Sequence, residues 1–78
     1  MPTIHREHGY RFYFYSHEPN EPPHVHVDKG SSSAKFWLDP VHLVRNHGFS
    51  ALELAKIERI VRKHGLSFVR AWNEFFGV

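Results

Sequence analysis

The fold turns on the stretch His24-Val25-His26-Val27-Asp28-Lys29-Gly30-Ser31-Ser32-Ser33-Ala34-Lys35-Phe36-Trp37-Leu38. Successive side chains of a strand point to opposite faces. Val25 and Val27 therefore lie opposite His24, His26 and Asp28, and Ala34, Phe36 and Leu38 lie opposite Lys35 and Trp37. Lys29-Gly30-Ser31-Ser32 interrupts the alternation with turn residues, which predicts two antiparallel strands, His24 to Asp28 and Ser33 to Leu38, joined as a hairpin.

Upstream, Thr3 to Glu7 and Tyr10 to Tyr15 flank His8-Gly9 and read as a second hairpin, the glycine supplying the turn. Residues 16–23 carry Pro19, Pro22 and Pro23 with Asn20 and two glutamates. That composition cannot continue a ladder and predicts an exposed loop. Downstream, Asp39-Pro40 ends the strand, and Val41 to Arg45 is expected as a short further strand before Asn46-His47-Gly48. From Ser50 the apolar period changes to that of a helix. Ser50 and Glu53 form a capping-box pattern, Lys63 and His64 complement the last turn, and Gly65 stands where a C-cap is expected, so residues 51–64 are predicted as one helix. Its apolar side is Leu54, Ile57, Ile60 and Val61; Lys56, Arg59 and Lys63 line another. Ser67 to Phe76 is a second helix presenting Phe68, Trp72, Phe75 and Phe76. These elements predict a single α+β domain over 1–78, a small antiparallel sheet of three to four strands packed on one face by two C-terminal helices. Tyr10, Phe12 and Phe14 join the core face. The other face then displays Arg11, Tyr13, Tyr15, His24, His26, Lys35 and Trp37, open to water or to a partner.

Composition narrows the function classes. At 78 residues there is room for one core, and an aromatic content of 15% supplies the apolar area a folded domain needs. Cysteine is absent, which excludes disulfides and thiolate zinc sites. No apolar run approaches the roughly 18 residues that span a bilayer and no signal-peptide core is visible, so a soluble, cytoplasmic protein without membrane association is expected. The net charge is only +2, so an interaction with a polyanion depends on how the cations cluster.

The chain resembles the bacterial family called domain of unknown function 4160. The carriers are Met1-Pro2-Thr3-Ile4, Tyr10-Arg11-Phe12-Tyr13-Phe14, Glu21-Pro22-Pro23-His24-Val25-His26-Val27, Ala34-Lys35-Phe36-Trp37-Leu38-Asp39-Pro40, Gly48-Phe49-Ser50 and Ala71-Trp72-Asn73-Glu74-Phe75-Phe76. The resemblance implies a small stand-alone bacterial protein, often encoded near another small protein, with a toxin–antitoxin role and no established reaction.

Three uses of the second face follow from its residue types. As an RNA-binding or RNA-cleaving surface, it offers His24 and His26 as acid/base candidates, Lys35 and Arg11 to stabilise phosphorane charge, and Tyr13 or Trp37 to stack a base. As a metal site, it offers His24 and His26 with Asp28 or Glu21, completed by His17, His5 or His42. As an interaction module without catalysis, its aromatics and the Trp72 to Phe76 cluster pair with a small cognate protein or with a second copy as a homodimer. Against all three stands a structural expectation, in which Tyr13, Tyr15 and Trp37 are buried, the histidines are hydrogen-bonded in the sheet, Trp72 is core, and Lys56, Arg59 and Lys63 are a solvated helix face. No cofactor is expected.

Overall fold

The computed structural model describes residues 3–15 and 20–78. In chain order these form β1 (Thr3–Glu7), β2 (Tyr10–Tyr13), β3 (His24–Lys29), β4 (Ser32–Leu38), β5 (Val41–His47), α1 (Ala51–Lys63) and α2 (Gly65–Phe76). Each strand pairs antiparallel with the next, giving a five-stranded meander in the order β1-β2-β3-β4-β5. The α+β class is as expected, with five strands in place of three or four. The ladder between β4 and β5 runs on to Ser33↔His47, so β5 is a full strand and not a stub.

Turn chemistry sets the register. His8 and Gly9 both have positive φ, 52° and 83°, the geometry of a two-residue primed hairpin, and Glu7 faces Tyr10 across it. Lys29 pairs with Ser32, which tightens the second turn to Gly30-Ser31. β2 stops at Tyr13, two residues short of expectation; Phe14 beyond it is nevertheless fully buried. Of the loop expected over 16–23, residues 16–19, His17 among them, lie outside the described residues.

Two bulges modify the alternation. In β5 the register jumps from Lys35↔Arg45 to Phe36↔Leu43, leaving Val44 as the extra residue. In β1 it jumps from Thr3↔Tyr13 to His5↔Phe12, so Ile4 is the extra residue. Without that bulge, Thr3, His5 and Glu7 would all share the face of Tyr13. With it, His5 and Glu7 pair with Phe12 and Tyr10 and turn to the helix side.

The helices cover the face of Phe12. The Ser50 hydroxyl accepts the amide N–H of Glu53 at 3.1 Å, as its pattern predicts. Gly65 departs from expectation: His64 ends α1 with φ −106° and ψ 13°, and Gly65 already begins α2. The chain turns between helices on one residue, and the left-handed glycine cap falls instead at Gly77, φ 71°, after α2. The core joins Tyr10, Phe12, Phe14, Val25, Val27, Ala34, Phe36 and Leu38 of the sheet side to Phe49, Ile57, Ile60, Val61, Phe68 and Trp72. Phe14 meets Trp72 edge-on at 5.3 Å, and Phe12 lies 5.6 Å from Phe68.

Candidate functional site

The second face is closed, which corrects the expectation of accessible histidines. His24 is 0% exposed, and His26, Tyr13 and Lys35 are buried as well. The ring of His24 lies 4.7 Å from Trp72, 5.7 Å from Trp37 and 5.1 Å from His26, while its Nδ1 sits 2.9 Å from the Pro22 carbonyl oxygen. His26 stacks on Tyr13 at 5.5 Å and meets the edge of Tyr15 at 4.3 Å. The Tyr13 hydroxyl donates to Asp28 Oδ1 at 3.0 Å. Burial, and then the hydrogen bonds to Tyr15 and Asp28, push the Tyr13 phenol well above its ordinary value of 10, so it remains a neutral donor. Arg11, half-buried, holds its guanidinium 4.5 Å above the Tyr13 ring and donates from Nε to Thr3 Oγ1 at 2.8 Å. Lys35 donates to the Glu21 carboxylate and lies 5.0 Å from the half-buried Trp37 ring.

These residues are brought together, but onto one another. The pocket left between Tyr13, Tyr15, His26, Lys35 and Arg45 has about 60 Å³, far below the roughly 300 Å³ at which ligand sites begin. A proton-transferring group must first reach its substrate. His24 has no surface with which to do so.

Among the described residues, the candidate metal ligands His24, His26 and Asp28 are not drawn together as a converging set. His24 and Asp28 stand four positions apart on the strand, about 13 Å along the chain. Asp28 is engaged by Tyr13, and His24 Nδ1 faces its own backbone. Among the described residues, the group of three or more acidic or imidazole side chains whose ligand atoms converge is a different one: His5, Glu7 and His64. His5 Nε2 lies 2.9 Å and His64 Nε2 3.3 Å from the same oxygen, Glu7 Oε1, with His8 Nε2 3.7 Å from Oε2. The hydrogen bond from His5 holds the Glu7 carboxyl below its ordinary value of 4.5; burial opposes this, and His64 and Lys63 reinforce it. Of these residues the sequence marks His5 alone as a candidate ligand, and for another site. Glu7 and His64 are 57 residues apart, and no spacing rule connects them.

Beside this corner lies a concavity of about 390 Å³, between the β1–β2 turn and α1. Glu7, His8, Tyr10, Lys29, Lys56, Arg59, Ile60 and Lys63 line it. The three cations of α1, spaced three and four residues apart, face the groove together, and Lys29 joins them from the end of β3, its ammonium 4.8 Å from the Tyr10 ring. Buried Tyr10 and Ile60 form the floor. Four permanent cations against one carboxylate make this a positive, concave surface of the kind that concentrates anions. The sequence showed the helical stripe; only the fold shows that Lys29 completes it.

The family model described as domain of unknown function matches residues 9–73, from the first turn to the last helix. The chain belongs to this DUF4160 family. No curated protein and no solved structure matches it. Among the described residues, no helix is long and apolar enough to cross a membrane.

Proposed function

We propose that this DUF4160 protein binds RNA by its phosphate backbone, in the groove between the β1–β2 turn and α1. The convergence of Lys29, Lys56, Arg59 and Lys63 on one concavity of about 390 Å³ carries this reading. From Lys56 to Lys63 the helix rises about 10 Å, a length suited to successive phosphates of one strand. A flexible single strand can dip its phosphates into a concave site, where a duplex backbone presents a convex ridge. Binding here leaves His24 and His26 as packing residues beneath the neighbouring sheet face, and no cleavage step is assigned to them. A toxin–antitoxin setting is compatible with RNA binding and has its own check, growth after induced expression of the chain beside a Lys56→Ala, Arg59→Ala variant.

Fluorescence anisotropy with a labelled single-stranded RNA across a salt series tests the proposal. The expected result is affinity that falls with salt, with a log–log slope of about −0.7 for each phosphate neutralised. Lys56→Ala and Arg59→Ala are each expected to weaken binding on every sequence and to reduce that slope by about one contact. Salt-insensitive binding, or alanine variants that bind as the parent does, sinks it. Preference for an acidic protein partner over RNA moves the groove to the interaction-module reading.

A further inference from the structure

We propose that His5, Glu7 and His64 bind a divalent transition ion of the zinc class at the corner where β1 meets the α1–α2 junction. The proposal does not rest on the RNA reading.

The donor set and its spacing carry it. The three ligand atoms lie within 4.8 Å of one another. Zinc held tetrahedrally by nitrogen and oxygen at about 2.1 Å requires donor–donor separations of about 3.4 Å. The Glu7–His64 distance of 3.3 Å already meets that requirement, and the His5–Glu7 distance of 2.9 Å needs only a small opening. The third pair, His5 and His64, lies within 4.8 Å and closes towards the same separation when an ion is seated.

The framework around the donors restricts those rings. His5 is 5.7 Å from both Phe12 and Phe68, and His64 stacks on Phe68 at 5.8 Å. The two imidazoles lie 4.4 Å apart. Phenylalanines thus back the site on its inner side, while side-chain exposures of 26%, 25% and 26% leave the outer side open to solvent. Three protein ligands and an open fourth position is the arrangement of zinc sites that keep a water. Two imidazole nitrogens select zinc, nickel or cobalt over magnesium and calcium, which prefer all-oxygen shells. The β1 bulge is what makes the set possible, since it turns His5 and Glu7 to the side on which His64 stands. The charge of Lys63, which acts on Glu7, opposes a cation here and limits its affinity.

The test uses the purified full chain. Isothermal titration with zinc chloride near neutral pH is paired with the visible spectrum of the cobalt(II) form, whose intense bands mark a four-coordinate site. One equivalent is expected to bind, with affinity falling on the order of tenfold or more in His5→Ala, in His64→Ala and in the isosteric Glu7→Gln, and with the cobalt bands lost in all three. His42→Ala, on the exposed side of β5, is expected to bind as the parent chain does. Circular dichroism confirms folding of each variant. Should either alanine variant unfold, Glu7→Gln alone decides, because it keeps side-chain volume while removing the anionic ligand. A parent chain that takes up no zinc overturns the proposal. So does a Glu7→Gln chain that binds zinc and gives cobalt bands as the parent does, since the ion then sits on other histidines.

Discussion

His24 and His26 stand two residues apart on one strand and end sealed among aromatic rings, whereas His5 and His64 stand far apart in sequence and end on one carboxylate at a half-open corner. Proximity in sequence thus marked the buried pair. A His-x-His run on a strand guarantees a shared face but not that the face stays open. Here Tyr13, Tyr15 and Trp37 fold over that face, and Glu21 reaches back to neutralise Lys35. The corner, by contrast, keeps a quarter of its side-chain surface in water while its inner side is packed. Packing uses the first pair; the second is placed where a ligand can arrive.

The sharpest way to break this contrast is to truncate each histidine in turn. His24→Ala removes a fully buried ring from between Trp72, Trp37 and His26 and is expected to destabilise the fold by about 2–4 kcal/mol, as for other large-to-small core changes. His64→Ala, part-exposed, is expected to lose under about 1 kcal/mol in the absence of metal. Urea denaturation compares the two, and an equal or reversed order would show that the sheet face is not the packed one.

A smaller effect concerns the cover of that face. Glu21→Ala leaves the Lys35 ammonium buried without its carboxylate, with an expected loss of about 1–2 kcal/mol, well below the full value of a buried pair because Glu21 is itself 41% exposed. Adding Lys35→Met should recover most of that loss in the same denaturation assay. If the double variant is no better than the single, the cover does not depend on charge neutralisation.

The Tyr13 phenol gives the contrast a pH signature. Its folded value is raised, so its contribution is fully present below the ordinary value of 10 and is lost as pH climbs beyond it towards the folded value. Thermal melts are expected to hold steady up to about pH 10 and to fall above it, with a shallower fall in Tyr13→Phe. Tyr10, raised by burial and by Glu53, contributes in the same direction and accounts for slope that remains. Identical alkaline slopes in parent and variant would mean that Tyr13 is solvated. As a baseline, Glu58→Ala, which breaks the exposed 3.1 Å pair with Arg62, should change stability by no more than about 0.5 kcal/mol.

Much of the architecture was legible along the chain. Strand alternation identified the eight core positions from Tyr10 to Leu38, and Ser50 with Glu53 marked the start of α1, because strand faces and caps follow from residues a few positions apart. The basic stripe of α1 was legible for the same reason. The end of α1 was not, since Gly65 satisfies either a left-handed cap or the first turn of α2, and the packing of Phe68 and Trp72 onto the sheet selects the second.

What the sequence determined by itself, then, is the α+β order of elements, the core face and the family, all properties of local period and local pattern. Tertiary structure alone decided the rest. The bulge at Ile4 turned His5 and Glu7 towards His64, Lys29 met the α1 cations across the groove, and the rings of Trp72, His26 and Trp37 closed around His24. Each of these depends on which surfaces meet after the sheet has paired and the helices have docked. Such long-range contacts are chosen by the packing of the whole chain, and no short stretch of residues encodes them.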